Sequence, residues 1–163
     1  MSRQTLASAA LLAVAASALS ATAQANTASK SAVSAKTYLL KATLDARHEV
    51  PAPTGAKAAK GTFTAKLTVA GKKSSFTWQL RFSHLTGRAT AAHVHYGAVG
   101  KAGTVAIPLC APCKAGAHGA YTGAYLVKSA FVDSVLHGRT YVNIHTKKNP
   151  KGEIRGQIKV TPA

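Results

Sequence analysis

At 163 residues the chain suits one domain. Lysine and arginine number 21 against four acidic residues, a formal net charge of +17, so carboxylate acid–base chemistry has almost nothing to draw on and a hydrolase is not expected. The basic residues are scattered, with no long run and no basic segment interleaved with aromatics; specific nucleic-acid binding is therefore not expected, and the partners the charge fits are acidic envelope or extracellular polymers.

Met1-Ser2-Arg3-Gln4 is a short positive start, and Thr5 to Leu19 is an uncharged Ala/Leu-rich run. Ala21-Thr22-Ala23 and Ala23-Gln24-Ala25 offer small residues where a signal peptidase cuts. Residues 1–25 are expected to be a secretory signal peptide. The run is too short and Ala-rich for a membrane anchor, and no later segment approaches a transmembrane span. The expected location is the periplasm or outside the cell, where thiols oxidise. Residues 26–36, rich in Ala, Ser, Thr and Lys, read as a flexible tail before a domain over 37–160.

Tyr38 to Leu44 reads as a first strand, and residues 45–60, with Pro51, Pro53 and Gly55, as a long irregular connection. Gly61 to Val69 and Ser75 to Phe82 alternate apolar and polar residues around a turn at Ala70-Gly71-Lys72-Lys73, which predicts a hairpin. A strand carrying His93 follows, then a loop with Gly97, Gly100 and Gly103, then a short strand over Thr104 to Leu109. Pro108, Pro112, Gly116 and Gly119 surround Cys110 and Cys113, so a local disulfide is favoured over a redox pair or a thiolate metal ligand. Tyr121 to Val127 suggests another strand and Ser129 to Leu136 a short helix or turn. A strand from Tyr141, a turn at Asn149-Pro150-Lys151-Gly152 and a closing strand from Glu153 to Val160 complete the chain. Seven or eight short strands separated by Gly/Pro turns predict an all-β sandwich or flattened barrel.

Ala92-His93-Val94-His95-Tyr96-Gly97 and Tyr141-Val142-Asn143-Ile144-His145-Thr146 carry the chemistry. Side chains alternate along a strand, so His93 and His95 share one face, and Tyr141, Asn143 and His145 share one face of the second segment. If both strands put their aliphatic residues into a core, three imidazoles remain on the other side. Side by side, those strands would bring His93, His95 and His145 to one metal ion. Such a His-rich, carboxylate-poor set suits copper first and zinc second. Asn143 and Tyr96 are candidates to orient the rings. His48, His84 and His137 fall in or beside turns and read as surface residues. Glu153 and Arg155, two apart on a strand, read as a surface pair or a contact to a neighbouring strand.

Four segments, in order and spacing, resemble the CHRD domain, named from chordin and widespread in secreted bacterial proteins. They are Glu49-Val50-Pro51 with Thr54-Gly55, Ala91 through Gly97, Tyr141 through Thr146, and Pro150 through Ile158. The resemblance implies a single immunoglobulin-like, Greek-key β-sandwich and says little about activity. His93-Val94-His95 and Gly138-Arg139-Thr140 through His145 are also similar to the copper-binding strands of Cu/Zn superoxide dismutases. That similarity implies His93, His95 and His145 as copper ligands and loosely aligns Arg155 with a substrate-guiding arginine. It departs in the zinc loop, where only His118 precedes Asp133; His118 is thus a weak further ligand, and a zinc subsite is not supported. The expectation is a non-enzymatic metal-binding protein. A metal-free structural or interaction module and a dismutase-like enzyme are the alternatives.

Overall fold

Period-two alternation shapes the first three strands. In the computed structural model, which describes residues 34–71 and 73–163, β1 (Lys36–Asp45), β2 (Lys60–Ala70) and β3 (Lys73–Ser83) pair antiparallel in uninterrupted register. Leu40, Ala42 and Leu44 of β1, Phe63 and Leu67 of β2, and Phe76, Trp78, Leu80 and Phe82 of β3 point into the core. Each large apolar side chain buried there contributes about 1.5–3 kcal/mol. The expected signal peptide, nearly all of the expected tail and Lys72 of the hairpin turn lie outside the described residues.

The other strands fold the sheet back over this one. They are β4 (Ala89–Tyr96), β5 (Val105–Cys110), β6 (Gly119–Val127), β7 (Thr140–Thr146), β8 (Ile154–Gln157) and β9 (Lys159–Pro162). Their order is β5-β4-β7-β8-β1-β2-β3-β6, with β9 also paired to β1. β6 returns beside β3 and β7 beside β4, the crossed connection of a Greek key. The two ends of the sheet approach each other where the Tyr125 hydroxyl on β6 donates to the Pro108 carbonyl on β5 at 2.7 Å. The result is an all-β, nearly closed sandwich.

Nine strands replace the expected seven or eight, because the closing strand is two. At Ile158 the chain leaves β7, with the Ile158 N–H donating to the Thr140 carbonyl, and continues as β9 along β1. Ile158 itself stays 2% exposed, in the core. The segment that allowed a helix or a turn forms a helix, α1 (Ser129–Leu136). It buries Phe131, Val132 and Val135, and Phe131 meets Phe76 edge-on at 5.2 Å. Cys110 and Cys113 are bonded to each other, with Cα atoms 4.9 Å apart, and close the turn after β5.

Of the two expectations for Glu153 and Arg155, the surface pair is overturned, while the contact to a neighbouring strand holds for Glu153, which bonds Thr146 of β7. Glu153 is fully buried and Arg155 2% exposed, and they do not bond to each other. The Glu153 carboxylate accepts hydrogen bonds from the Thr86 N–H, from the Thr86 hydroxyl at 2.6 Å, from the Thr146 hydroxyl and from the Asn149 amide at 2.9 Å. It thereby ties the loop after β3 to β7 and to the turn before β8. Burial alone would raise its pKa, but these four donors outweigh that and hold it below the ordinary carboxylate value.

Candidate metal centre

β4 and β7 are neighbours, with Ala91 opposite His145, His93 opposite Asn143 and His95 opposite Tyr141. Val94, Val142 and Ile144, of the other parity, are fully buried in the core. His93, His95 and His145 therefore share the outer face, with ring centroids 5.4 Å (His93–His95), 5.1 Å (His93–His145) and 6.2 Å (His95–His145) apart. One nitrogen of each lies within 4.8 Å of the other two. Atoms so spaced lie within about 2.8 Å of a common centre, against metal–nitrogen bonds of about 2.0 Å. These three rings could hold a metal ion.

The hydrogen bonds assign the donor atoms. His95 Nδ1 faces the Gly103 carbonyl at 2.9 Å and His145 Nδ1 faces the Pro150 carbonyl at 3.0 Å. A carbonyl only accepts, so each neutral ring carries its proton on Nδ1 and leaves a lone pair on Nε2. His93 turns its Nδ1 to within 3.2 Å of His145 Nε2. By the same rule His145 Nε2 has no proton to give, so in this contact His93 Nδ1–H donates to His145 Nε2, and a metal would have to displace that proton to bind both rings. His95 Nε2 is buried and has no hydrogen-bond partner. An atom left in that state costs about 1–3 kcal/mol, so its lone pair is available for a ligand.

The environment keeps the rings neutral. Burial, then the neighbouring charges of His145 and His95, lowers the His93 pKa to about 4. Burial also dominates at His95, against the Gly103 carbonyl and Asn143, and at His145, against the Pro150 carbonyl; both values fall below that of free imidazole. At neutral pH all three rings are in the form that binds a metal.

Rigid neighbours hold the rings. Tyr141 stacks on His95 with centroids 5.0 Å apart and planes 8° from parallel, and the Arg155 guanidinium lies 3.4 Å from the centroid of the Tyr141 ring. The Tyr141 hydroxyl accepts from the Gly103 N–H at 3.2 Å. Arg155 donates to the Ala98 and Lys101 carbonyls at 3.0 and 2.9 Å, strapping the 97–104 loop over the sheet. A Cβ at Gly103 would strike the Tyr96 carbonyl, so the loop that supplies the His95 acceptor needs glycine there. Beneath the rings, Glu49 Oε2, Asn143 Oδ1 and Arg155 Nη1 are buried without partners. Burial raises the Glu49 pKa, and its carboxylate lies where a Cβ on Gly152 would be.

Several expected parts stand elsewhere. Tyr96 does not orient the imidazoles: it has the opposite parity to His95 and packs against Phe131, 6.4 Å away. His118 does not join the three rings but meets His84 edge-on, centroids 5.0 Å apart. Arg155 is buried and bound to carbonyls, not placed at the surface to guide a substrate. His48 and His137 lie exposed beside Asp45 and Asp133. The Gly103 and Pro150 carbonyls and the Tyr141–Arg155 stack were not foreseen as ring supports; Tyr141 was visible on the histidine face, but its partners lie across long sequence gaps.

A family model described as CHRD domain matches residues 40–158. Comparison with curated proteins gives no significant match, and comparison with solved structures gives none either.

Proposed function

The chain belongs to the CHRD family, and we propose that within it this protein is exported and binds one transition-metal ion, copper before zinc, through His93, His95 and His145. One observation carries the reading: one nitrogen from each of three imidazoles lies within 4.8 Å of the other two, and His95 Nε2 is buried without a partner. Imidazole suits copper and zinc, and copper stands highest in the divalent affinity order. Both cysteines are bonded to each other, so no thiolate competes for the role. Bound copper would supply redox chemistry at this face; the chain's own part is to hold neutral rings in fixed tautomers.

A binding role fits better than catalysis. Of the four acidic residues, Glu49 and Glu153 are buried, and Asp45 and Asp133 are engaged with arginine and histidine. None is an exposed general acid or base beside the rings. Residues 1–25 are read as the export signal, which gives a periplasmic or extracellular location.

Titration with Cu(II) and Zn(II) against a competing chelator tests the reading. The expected result is one equivalent of copper, held at least a hundredfold more tightly than by the H93A/H95A/H145A variant, whose fold is checked by circular dichroism. Equal affinity of the two proteins would overturn it. Superoxide disproportionation by the copper-loaded protein well above the free-copper background would overturn the non-enzymatic part alone.

A further inference from the structure

The acidic residues are all accounted for within the fold. Asp45 binds Arg47 and His48, each at 2.8 Å, Asp133 binds Arg139 at 2.7 Å and His137 at 3.1 Å, and Glu49 and Glu153 are buried. Only Asp45, opposite Lys60 and engaged by Arg47 and His48, brings a carboxylate near the exposed lysines of the strands. On one face the cations stand on strands, not on loops: the outer side of β9, β1, β2 and β3, which carries Lys159, Lys41, Lys60, Lys66 and Arg81, all exposed.

Register makes this arrangement specific. Lys41 stands directly opposite Lys159 on the neighbouring strand. Like charges so placed destabilise a sheet, and neither Lys41 nor Lys159 has an acidic partner. Lys66 lies diagonal to Lys41, and Lys60 diagonal to Arg81, across the β1–β2 and β2–β3 ladders. Hydroxyls fill the positions between: Thr43 opposite Thr62, Thr62 opposite Arg81, and Lys41 opposite Thr64. Three shallow grooves mark the face. One of about 360 Å³ is lined by Lys41, Thr43, His48, Val99, Gln157 and Lys159. One of about 380 Å³ is lined by Thr43, Lys60, Thr62, Arg81, Ser83 and the buried Phe82, and one of about 410 Å³ by Leu39, Thr64, Lys66, Thr77, Gln79 and the buried Trp78.

From this placement we infer that the outer face of β9-β1-β2-β3 binds an acidic polysaccharide chain, whose carboxylates sit between Lys41 and Lys159 and run across Lys66 toward Lys60 and Arg81. Charge complementarity selects an anionic polymer, and the strand-borne threonines supply hydroxyl donors and acceptors matched to sugar hydroxyls. The outward positions of these four strands hold no aromatic residue, so they lack the stacking platform that single-stranded nucleic acid uses. Leu39, 43% exposed, is their one outward-facing large apolar side chain, too little for insertion into a membrane interface. The inference is independent of the metal reading, because His93, His95 and His145 stand on β4 and β7 and not on these four strands.

The purified chain is titrated with polygalacturonate at low and at physiological salt, beside anionic phospholipid vesicles and a duplex oligonucleotide. The K41Q/K66Q/R81Q variant is compared with K57Q/K114Q/K128Q, which removes the same charge from other exposed positions. The expected result is salt-sensitive binding to the polysaccharide, weakened at least tenfold by the first variant and less than threefold by the second. Equal weakening by both would show only a diffuse field and overturn the site. Absence of binding, or tighter binding to the vesicles or to the oligonucleotide, would overturn the partner.

Discussion

His93 is held between two other imidazoles in a half-buried setting that lowers its pKa to about 4, and burial lowers His95 and His145 too. A metal competes with protons only where the ring is protonated, and free imidazole is protonated below about 6.5. Here the proton is disfavoured by burial first and by His145 and His95 next. Since burial lowers His95 and His145 as well, the decline in copper affinity is expected to begin below the pH at which free imidazole protonates and to be steep toward pH 4, as read by chelator competition at pH 7.5, 5.5 and 4. A decline beginning near pH 6.5 would contradict the buried geometry. The sign for stability follows. The unfolded chain takes up protons at these rings below about 6.5 while the folded chain resists, so the metal-free fold loses stability as pH falls through that window. That the three rings share a face was legible in the residues, from two-residue periodicity. Their tautomers were not, because the carbonyls that assign them come from Gly103 and Pro150, in loops whose course no local pattern encodes.

At the scale of elements, the site is two adjacent strands with a loop strapped across them. β4 and β7 were readable because valine and isoleucine alternate with the polar residues, and a core accepts only one of the two faces. The 97–104 loop was readable only as glycine-rich. Its work comes from long-range bonds: Arg155 and Gln157 on β8 donate to the carbonyls of Gly97, Ala98 and Lys101. Gly103→Ala is expected to push the loop away from the Tyr96 carbonyl and displace the acceptor that holds His95. Copper affinity should fall about tenfold, in line with the loss of a group orienting a ligand, and competition titration would show it. Unchanged affinity would mean that the Gly103 carbonyl does not position His95. The division of the closing strand into β8 and β9 escaped periodicity because Ile154, Gly156, Ile158 and Val160 keep one parity throughout. Only pairing partners reveal the switch from β7 to β1.

For the molecule as a whole, Glu153 is the buried acceptor on which three separate segments converge. Hydrogen bonds to a charged group contribute about 1.5–3 kcal/mol each, and an amide in its place meets the Asn149 amide donor with a donor of its own. Glu153→Gln is expected to lower stability by about 2–3 kcal/mol at pH 7, measured by urea unfolding. The sign with pH is that of a carboxylate with a depressed folded pKa. Its contribution is present above the unfolded value, about 4.3, and is lost as pH falls below it, so the variant should lose less stability than the parent between pH 5 and pH 3. Equal acid dependence in both would show that the carboxylate is not ionised in the fold.

Local pattern alone determined the all-β class, most strand positions, the face on which each histidine lies and the excess of positive charge, since each depends only on residue type and on the two-residue repeat of an extended chain. Tertiary structure decided which strands lie together, so that His145 reaches His93, His118 goes instead to His84, and Glu153 and Arg155 are drawn inside. It also set Lys41 against Lys159 across β1 and β9. These outcomes depend on register and closure between segments far apart in the chain, which are selected by the burial of the whole core rather than by any one segment.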